Sequence, residues 1–208
     1  GIPILGVNLG KLGFLTDIAP NELTSKLIEV IEGSFETDER FFLETKVKGL
    51  RKKSLALNEV VIHSGAIAQM IEYDLFIDEE FVFRQKADGL IICSPTGSTA
   101  YSLSAGGPIL HPNLDAISII PMLPQSLTSS PIVVKASSKI KVVLSNLGAN
   151  VHLSFDSHNL IKLSGRYEIN ICKSNSMLKF IHPMNHDFYD GCRNKLGWSK
   201  TIVKNNEE

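Results

Sequence analysis

The segment IEYDLFID, residues 71–78, alternates along its length: Ile71, Tyr73, Leu75 and Ile77 fall on one side, and Glu72, Asp74, Phe76 and Asp78 on the other. A period of two puts neighbours on opposite faces of a pleated strand, so one side is built for a core. Similar reading applies from Glu36 onward. LNEVVIHS, DGLIICS, SPIVVKA, KIKVVLS, NVHLSFD and YEINICK are short, apolar segments, several of them parted by Gly, Asn or Ser clusters. Together they predict a chain that is mostly β, with two packed, largely antiparallel sheets.

Helical spacing is rarer. Leu23, Leu27, Ile28 and Ile31 recur as one helix face after Pro20 and Asn21, with Gly33 placed as a C-terminal cap. A second helix is expected from about Ser98 to Gly106 and Gly107, and a third between Asp187 and Leu196. Ile2 to Val7 reads as a buried strand entering the loop NLGKLGFLTDI, with tight turns at Gly10 and Gly13. Such a strand and loop often close an α/β unit. The chain opens on Gly1 with no initiator methionine, which suggests a sequence entered partway through a longer protein.

With 208 residues and 43% hydrophobic content, the chain can bury an ordinary core in one large domain or two small ones. Its formal charge of -1 and scattered basic residues give no concentrated face for a phosphate backbone, which argues against a nucleic-acid partner. Cys93, Cys172 and Cys192 are odd in number and lack ligand spacing, so reduced thiols in a cytoplasmic protein are expected. No apolar stretch approaches a membrane span and no signal peptide precedes the first strand. His63, His111, His152, His182 and His186 show no ligand spacing, so no protein-held metal is assigned to them.

The stretch SPTGSTAYSLSAGGPILHP, residues 94–112, carries the chemistry. It lacks the lysine that a Walker-type phosphate loop needs before its Ser or Thr, and Ser98 follows Gly97 directly, so the G-x-S-x-G frame of a nucleophile elbow also fails. What remains is a polar grip. Pro95 and Gly97 shape a turn, and the Ser98 and Thr99 amides open a helix with unpaired N–H groups. Thr96, Ser98, Thr99 and Ser104 supply hydroxyls, Tyr101 a ring for stacking, and Asp88 an acceptor just upstream. The combination suits a nucleoside or dinucleotide; a capped helix after a buried strand is the plainer alternative.

At this length the residues DGLIICSPTGSTAYSLSAGGPILHP resemble the signature of bacterial NAD kinases, and NLGKLGFLTD, LNEVVIH and KLGWSK agree with that family in order and spacing. The resemblance implies the mostly β C-terminal domain of a two-domain fold. Residues 1–17 would end an N-terminal α/β domain, residues 18–182 would form the NAD-binding β domain, and residues 183–208 would be a tail packing back on the first. It also implies transfer of the γ-phosphoryl of ATP to the 2′-hydroxyl of the adenosine ribose of NAD, with Mg2+ accompanying ATP. No tightly bound prosthetic group is implied, and the family commonly forms homodimers or homotetramers. A dinucleotide-binding module without phosphoryl chemistry is the other reading, and a lipid or sphingoid kinase ranks below both because TGSTAY is polar.

Carried over by position, Asn58 and Glu59 match the pair that holds the adenine and ribose side of NAD. Lys86, Asp88 and the run Thr96, Gly97, Ser98, Thr99, Ala100 and Tyr101 match further contacts, with Ser104 beside them. On the residues alone, Asn58 and Glu59 could be a turn before a strand, and Lys86 a solvated charge. Gln69 stands where relatives commonly carry a basic residue or histidine, while Asp156, Ser157 and His158 of FDSHN align with an Asp-Gly or Asp-Ser segment usually followed by a polar residue such as glutamine. The family's Gly-Gly-Asp-Gly segment, whose aspartate is the general base, does not occur in the sequence. No catalytic residue is therefore assigned within this chain, and that aspartate is expected upstream.

Overall fold

The computed structural model describes residues 2–9, 13–16, 18–65, 69–145 and 150–198. In chain order the elements are β1 (Ile4–Leu5), α1 (Leu23–Ile31), β2 (Phe35–Val47), β3 (Ser54–Ala56), β4 (Glu59–Ser64), β5 (Ile71–Ile77), β6 (Glu80–Ala87) and β7 (Gly89–Cys93). There follow α2 (Tyr101–Ser104), β8 (Ala116–Met122), β9 (Ile132–Lys135), β10 (Ile140–Leu144), β11 (Asn150–Phe155), β12 (Asn159–Ser164), β13 (Glu168–Pro183) and α3 (Phe188–Leu196). Chain contacts divide the molecule into a unit Glu39–Leu178 and a unit made of Gly1–Asp38 with Lys179–Glu208.

The larger unit is a β sandwich, as the alternation requires. One sheet has the order β3-β2-β13-β10-β5-β6 and the other β12-β11-β4-β7-β8-β9, and the register-paired neighbours in both are antiparallel. Ile71, Tyr73 and Leu75 of β5 are fully buried in one core with Val60 and Ile62 of β4, Leu90 and Ile92 of β7, and Val142 of β10. Burying such side chains yields about 1.5–3 kcal/mol each.

β7 departs from alternation for a physical reason. Leu90 and Ile92 face the main core, while Ile91 and Cys93 face a second cluster with Val61 and Ile120, against which Ala105 and Met122 pack. Both faces are covered, so the strand reads as an unbroken apolar run.

In the smaller unit β1 pairs in parallel with the far end of β13, Ile4 opposite Phe180 and Leu5 opposite Ile181. α3 starts where Asp187 accepts the Tyr189 N–H at 2.8 Å, and its Lys195 ammonium donates to the carbonyls of Gly13 and Thr16. α3 therefore contacts the opening residues through Lys195. α1 forms at the expected place, yet Leu27, Ile28 and Ile31 of its apolar stripe are exposed. Contacts group α1 with the terminal segments rather than with the β unit, to which the span 18–182 assigns it. The boundary falls inside the long strands β2 and β13, where no turn residue marks it. Gly10, Lys11, Leu12, Asp17, Ser199 and Lys200 of the quoted motifs lie outside the described residues.

Candidate functional site

The C-terminal end of β7 runs straight into the site. Ser94 is stitched to the start of β4: its N–H donates to the Asn58 carbonyl at 2.9 Å and its hydroxyl to the Leu57 carbonyl at 2.5 Å. Gly97 packs against the same segment so closely that a Cβ there would lie 2.3 Å from the Asn58 carbonyl oxygen. Residues 57–59 and 94–97 thus form one rigid ledge.

The helix expected from Ser98 is broken. Thr96–Thr99 is a 3₁₀ turn, Ala100 leaves helical geometry at φ -100° and ψ -135°, and only Tyr101–Ser104 is α-helical. The Ser98 N–H is already committed to the Pro95 carbonyl at 3.2 Å, so it is not the open amide that a fresh helix start would offer. Side chains compete with the backbone here. The Ser98 hydroxyl donates to the Pro95 carbonyl at 2.7 Å, approaches the Leu110 carbonyl at 3.2 Å, and accepts the Leu110 N–H at 3.0 Å. Ser98 is fully buried, so its hydroxyl ties the turn together. Thr99 and Ala100 are partly buried, whereas Tyr101 and Ser104 are exposed, Tyr101 by 45%.

Opposite this turn, Asp156 opens the hairpin between β11 and β12 with φ 48° and the neighbouring Ser157 has φ 60°. The Asp156 carboxylate accepts three amide protons, from Leu57 at 2.6 Å, Asn58 at 2.8 Å and Glu59 at 3.0 Å. Ser157 and His158 sit exposed on the same hairpin. Arg40 of β2 is buried and donates to the Thr96 hydroxyl at 3.4 Å. Arg40 and Ser94 were not among the residues singled out by sequence, and Asp156 was named only through the family resemblance of its segment, not for these amide bonds. Only an aspartate at a left-handed hairpin position carries a local signal, and that signal does not name its partner.

Glu59 is the electrostatic centre of this group. It is 3% exposed, and its Oε2 has no hydrogen-bond partner among the described residues. Burial, then the nearby Asp156 charge, raise its carboxyl from 4.5 to about 7. Beside it on β7, the Cys93 thiol is pushed up to about 12, chiefly by burial, and stays neutral. A buried carboxylate oxygen with free lone pairs is an acceptor for hydroxyl or amide donors brought by a ligand.

Gln69, Lys86 and Asp88 are not brought to this ledge. In the β4 and β7 pairing Glu59 faces Cys93 but His63 faces Gly89, so the Asp88 end lies about 14 Å of strand away, at roughly 3.4 Å per residue. Lys86 pairs weakly with Glu72 at 3.7 Å and lines a cleft of about 720 Å³ with Gln85 and Gln125. His63 and His152 stand edge to face at 5.5 Å between ring centres, and His182 and His186 stack at 4.1 Å. Among the described residues no group of three or more His, Cys, Asp or Glu could hold a metal.

Comparison with known proteins adds to this geometry. The family description "ATP-NAD kinase C-terminal domain" matches residues 57–183, and "ATP-NAD kinase N-terminal domain" matches residues 1–35. The chain belongs to the ATP-NAD kinase family. It is 47% identical over 205 residues to the NAD kinase of Ectopseudomonas mendocina, covering 97% of this chain and 70% of that protein. The NAD kinase of Teredinibacter turnerae is 48% identical over 202 residues, with 95% and 69% covered. Among solved structures, yeast NADH kinase complexed with NADH superposes with a TM-score of 0.89 at 31% identity, covering 96% of this chain and 61% of that one. An Archaeoglobus fulgidus NAD kinase in complex with ATP gives 0.79 at 30% identity, with 94% and 74% covered. The two-sheet β architecture is thus the fold of the family's C-terminal domain.

Proposed function

We propose that this chain supplies the NAD-holding platform of an enzyme that phosphorylates NAD at the 2′-hydroxyl of its adenosine ribose, with ATP as donor. The observation that carries this reading is Glu59: a buried carboxylate beside Asn58, with one oxygen lacking a hydrogen-bond partner among the described residues, on a ledge fixed by Ser94, Gly97 and Asp156. Sugar hydroxyls are donors and acceptors at fixed spacing, and a carboxylate next to a carboxamide can meet both roles. In the transfer, the bond between the γ-phosphorus and its bridging oxygen breaks, a bond from the ribose O2′ to that phosphorus forms, and the hydroxyl proton passes to a base.

This chain's residues would bind and orient the acceptor; none of them is assigned as that base. Mg2+ is proposed to arrive with the ATP phosphates and to spread the charge of the transferring group. Gln69, Lys86 and Asp88 are proposed to meet a part of the dinucleotide remote from Asn58 and Glu59. The test is NADP formation by the complete enzyme from NAD, ATP and Mg2+; no product above a heat-killed control ends the reading.

Tyr101 provides a narrower test. Its ring is half exposed at the first residue of α2, next to the Thr96–Thr99 turn. Tyr101→Ala should weaken NAD binding by about 1–3 kcal/mol, the scale of base stacking on an aromatic ring. Calorimetry with NAD measures this, and unchanged affinity in a folded variant removes Tyr101 from the site.

A cytoplasmic homodimer or homotetramer completes the proposal. Supporting the first part are three free cysteines, two of them buried. Supporting the second are β6 and β9 at the ends of their sheets, with Phe81, Val82 and Val133 exposed along them. Unguarded edge strands are natural association surfaces. Sedimentation of the complete enzyme as a monomer at micromolar concentration would exclude it.

A further inference from the structure

We infer that Asp156 is a positioning residue for acceptor binding: through three amide hydrogen bonds it sets the direction in which Asn58 and Glu59 present their side chains to the ligand. The inference rests on the reading in which those two residues hold NAD. Three observations carry it, and all are geometric.

First, the Asp156 carboxylate receives the amide protons of three consecutive residues, Leu57, Asn58 and Glu59, at 2.6, 2.8 and 3.0 Å. Three donors converging on one carboxylate fix the peptide planes at the entry to β4, and with them the directions of the Asn58 and Glu59 side chains. Second, Asp156 itself has little freedom. It sits at φ 48° in the tight hairpin between β11 and β12, its own N–H donates to the Glu59 carbonyl at 3.1 Å, and the ring Nδ1 of His158 approaches its carbonyl. Phe155 before it is paired with Val60 and buried in the core. A residue held this firmly transmits position rather than adapting.

Third, the contact is reciprocal with the opposite wall. The Asn58 carbonyl that Gly97 abuts belongs to the residue whose N–H Asp156 holds, so the ledge is pinned from the hairpin side by charge and from the turn side by steric contact.

The charge has a second consequence. The groups around Glu59 are Asp156 from the hairpin and the neutral Cys93 thiol from β7, while Arg40 of β2 reaches the same turn at Thr96. Asp156 is the anion among them, and it raises the Glu59 carboxyl. Removing that charge lowers the pH at which Glu59 ionises. A neutral cap, or a charge remote from Glu59, would leave that pH where it is.

The experiment compares the complete wild-type enzyme with Asp156→Asn and Asp156→Glu, measuring KM for NAD, KM for ATP, and kcat/KM for NAD from pH 5 to pH 9. Asp156→Asn keeps the shape, but its amide nitrogen confronts an N–H donor. It should raise KM for NAD about tenfold or more, with KM for ATP changed less than about threefold, as loss of charge-assisted hydrogen bonds at one substrate's ledge predicts. The acid limb of its kcat/KM profile should move to lower pH. Asp156→Glu keeps the charge and displaces it, so KM for NAD should rise while the acid limb stays at the wild-type position.

Asp156→Asn with wild-type KM for NAD overturns the inference. So does an equal rise in both KM values with an unmoved acid limb. If the asparagine variant melts below the assay temperature, Asp156→Glu decides: wild-type KM for NAD in that variant is also fatal. A wild-type enzyme that forms no NADP instead defeats the kinase reading.

Discussion

Glu59→Gln is expected to raise the melting temperature of the protein at pH 8 while lowering kcat/KM for NAD about 100-fold, the range for losing a charged hydrogen-bonding partner in a buried site. Burial and the Asp156 charge lift the Glu59 carboxyl from 4.5 to about 7. A group whose folded pKa is raised gives stability that is complete below the unfolded value and is lost as pH climbs through the folded one. Wild-type stability should therefore decline between pH 4.5 and just above pH 7 on account of this side chain, by roughly 3 kcal/mol at the linkage rate of 1.36 kcal/mol per pKa unit.

Glutamine carries no charge at any of these pH values and escapes the decline. At pH 8 the variant should melt about 6–12 °C higher, using the usual 2–4 °C per kcal/mol for a chain of this size. Near pH 4.5 the two proteins should melt together. The same protonation should put an acid limb near pH 7 on NAD use by the wild type, because the ionised form accepts from ligand hydroxyls. Parallel melting curves for the two proteins from pH 4.5 to 8 would show that Glu59 is not strained in the folded chain. A site kept at the expense of stability is the usual signature of function.

Much of the sandwich was legible because its signal is local. The strands β4, β5, β7, β9, β10 and β11 fall where alternation or apolar runs place them. Tertiary context hid the rest. β8 contains Pro121, which argues locally against a central strand, yet Pro121 pairs with Leu90. It lies beyond Ile119, the last β8 residue paired with β9, where β8 is an edge on that side. β13 continues to Pro183, ten residues past the YEINICK segment, because its far end gains β1 as a new partner.

The site divides in the same way. The run 94–101 was recognisable as a motif, and its turn chemistry follows from Pro95 and Gly97. The motif alone did not show how far Asp88 and Lys86 stand from the ledge: a five-residue strand carries the chain away from them before the ledge begins. Long-range partners were invisible altogether. Asp156 reaches back 97 to 99 positions to meet Leu57, Asn58 and Glu59, and no propensity or spacing links residues so far apart. Ser98 looked like a ligand hydroxyl because serine is polar; only the packed turn reveals that Leu110 and Pro95 already use it.

Gly97→Ala is the substitution that tests the ledge most severely, and it should cut kcat/KM for NAD by about 100-fold, the cost of misplacing a binding group by about 1 Å. The added Cβ would stand 2.3 Å from the Asn58 carbonyl oxygen, 2.5 Å from its carbonyl carbon and 2.8 Å from its Cα. All three atoms are backbone, so no side chain can rotate away. Moving that backbone also pulls on the Ser94 N–H bond to the Asn58 carbonyl and on the Asp156 bond to the Asn58 N–H. Overpacking of this kind costs about 1–3 kcal/mol or more in stability, so a fall of several degrees in melting temperature should accompany the kinetic loss. Gly106→Ala is the control. That glycine has φ +82° and, among the described residues, nothing within 4 Å of an added Cβ, so its substitution costs backbone strain of about 1–2 kcal/mol without touching the ledge. Its KM for NAD should stay near wild type. The contrast separates the two explanations of a glycine in this stretch: if Gly97→Ala keeps both its KM for NAD and its melting temperature, then the ledge is not set by the contact between Gly97 and Asn58.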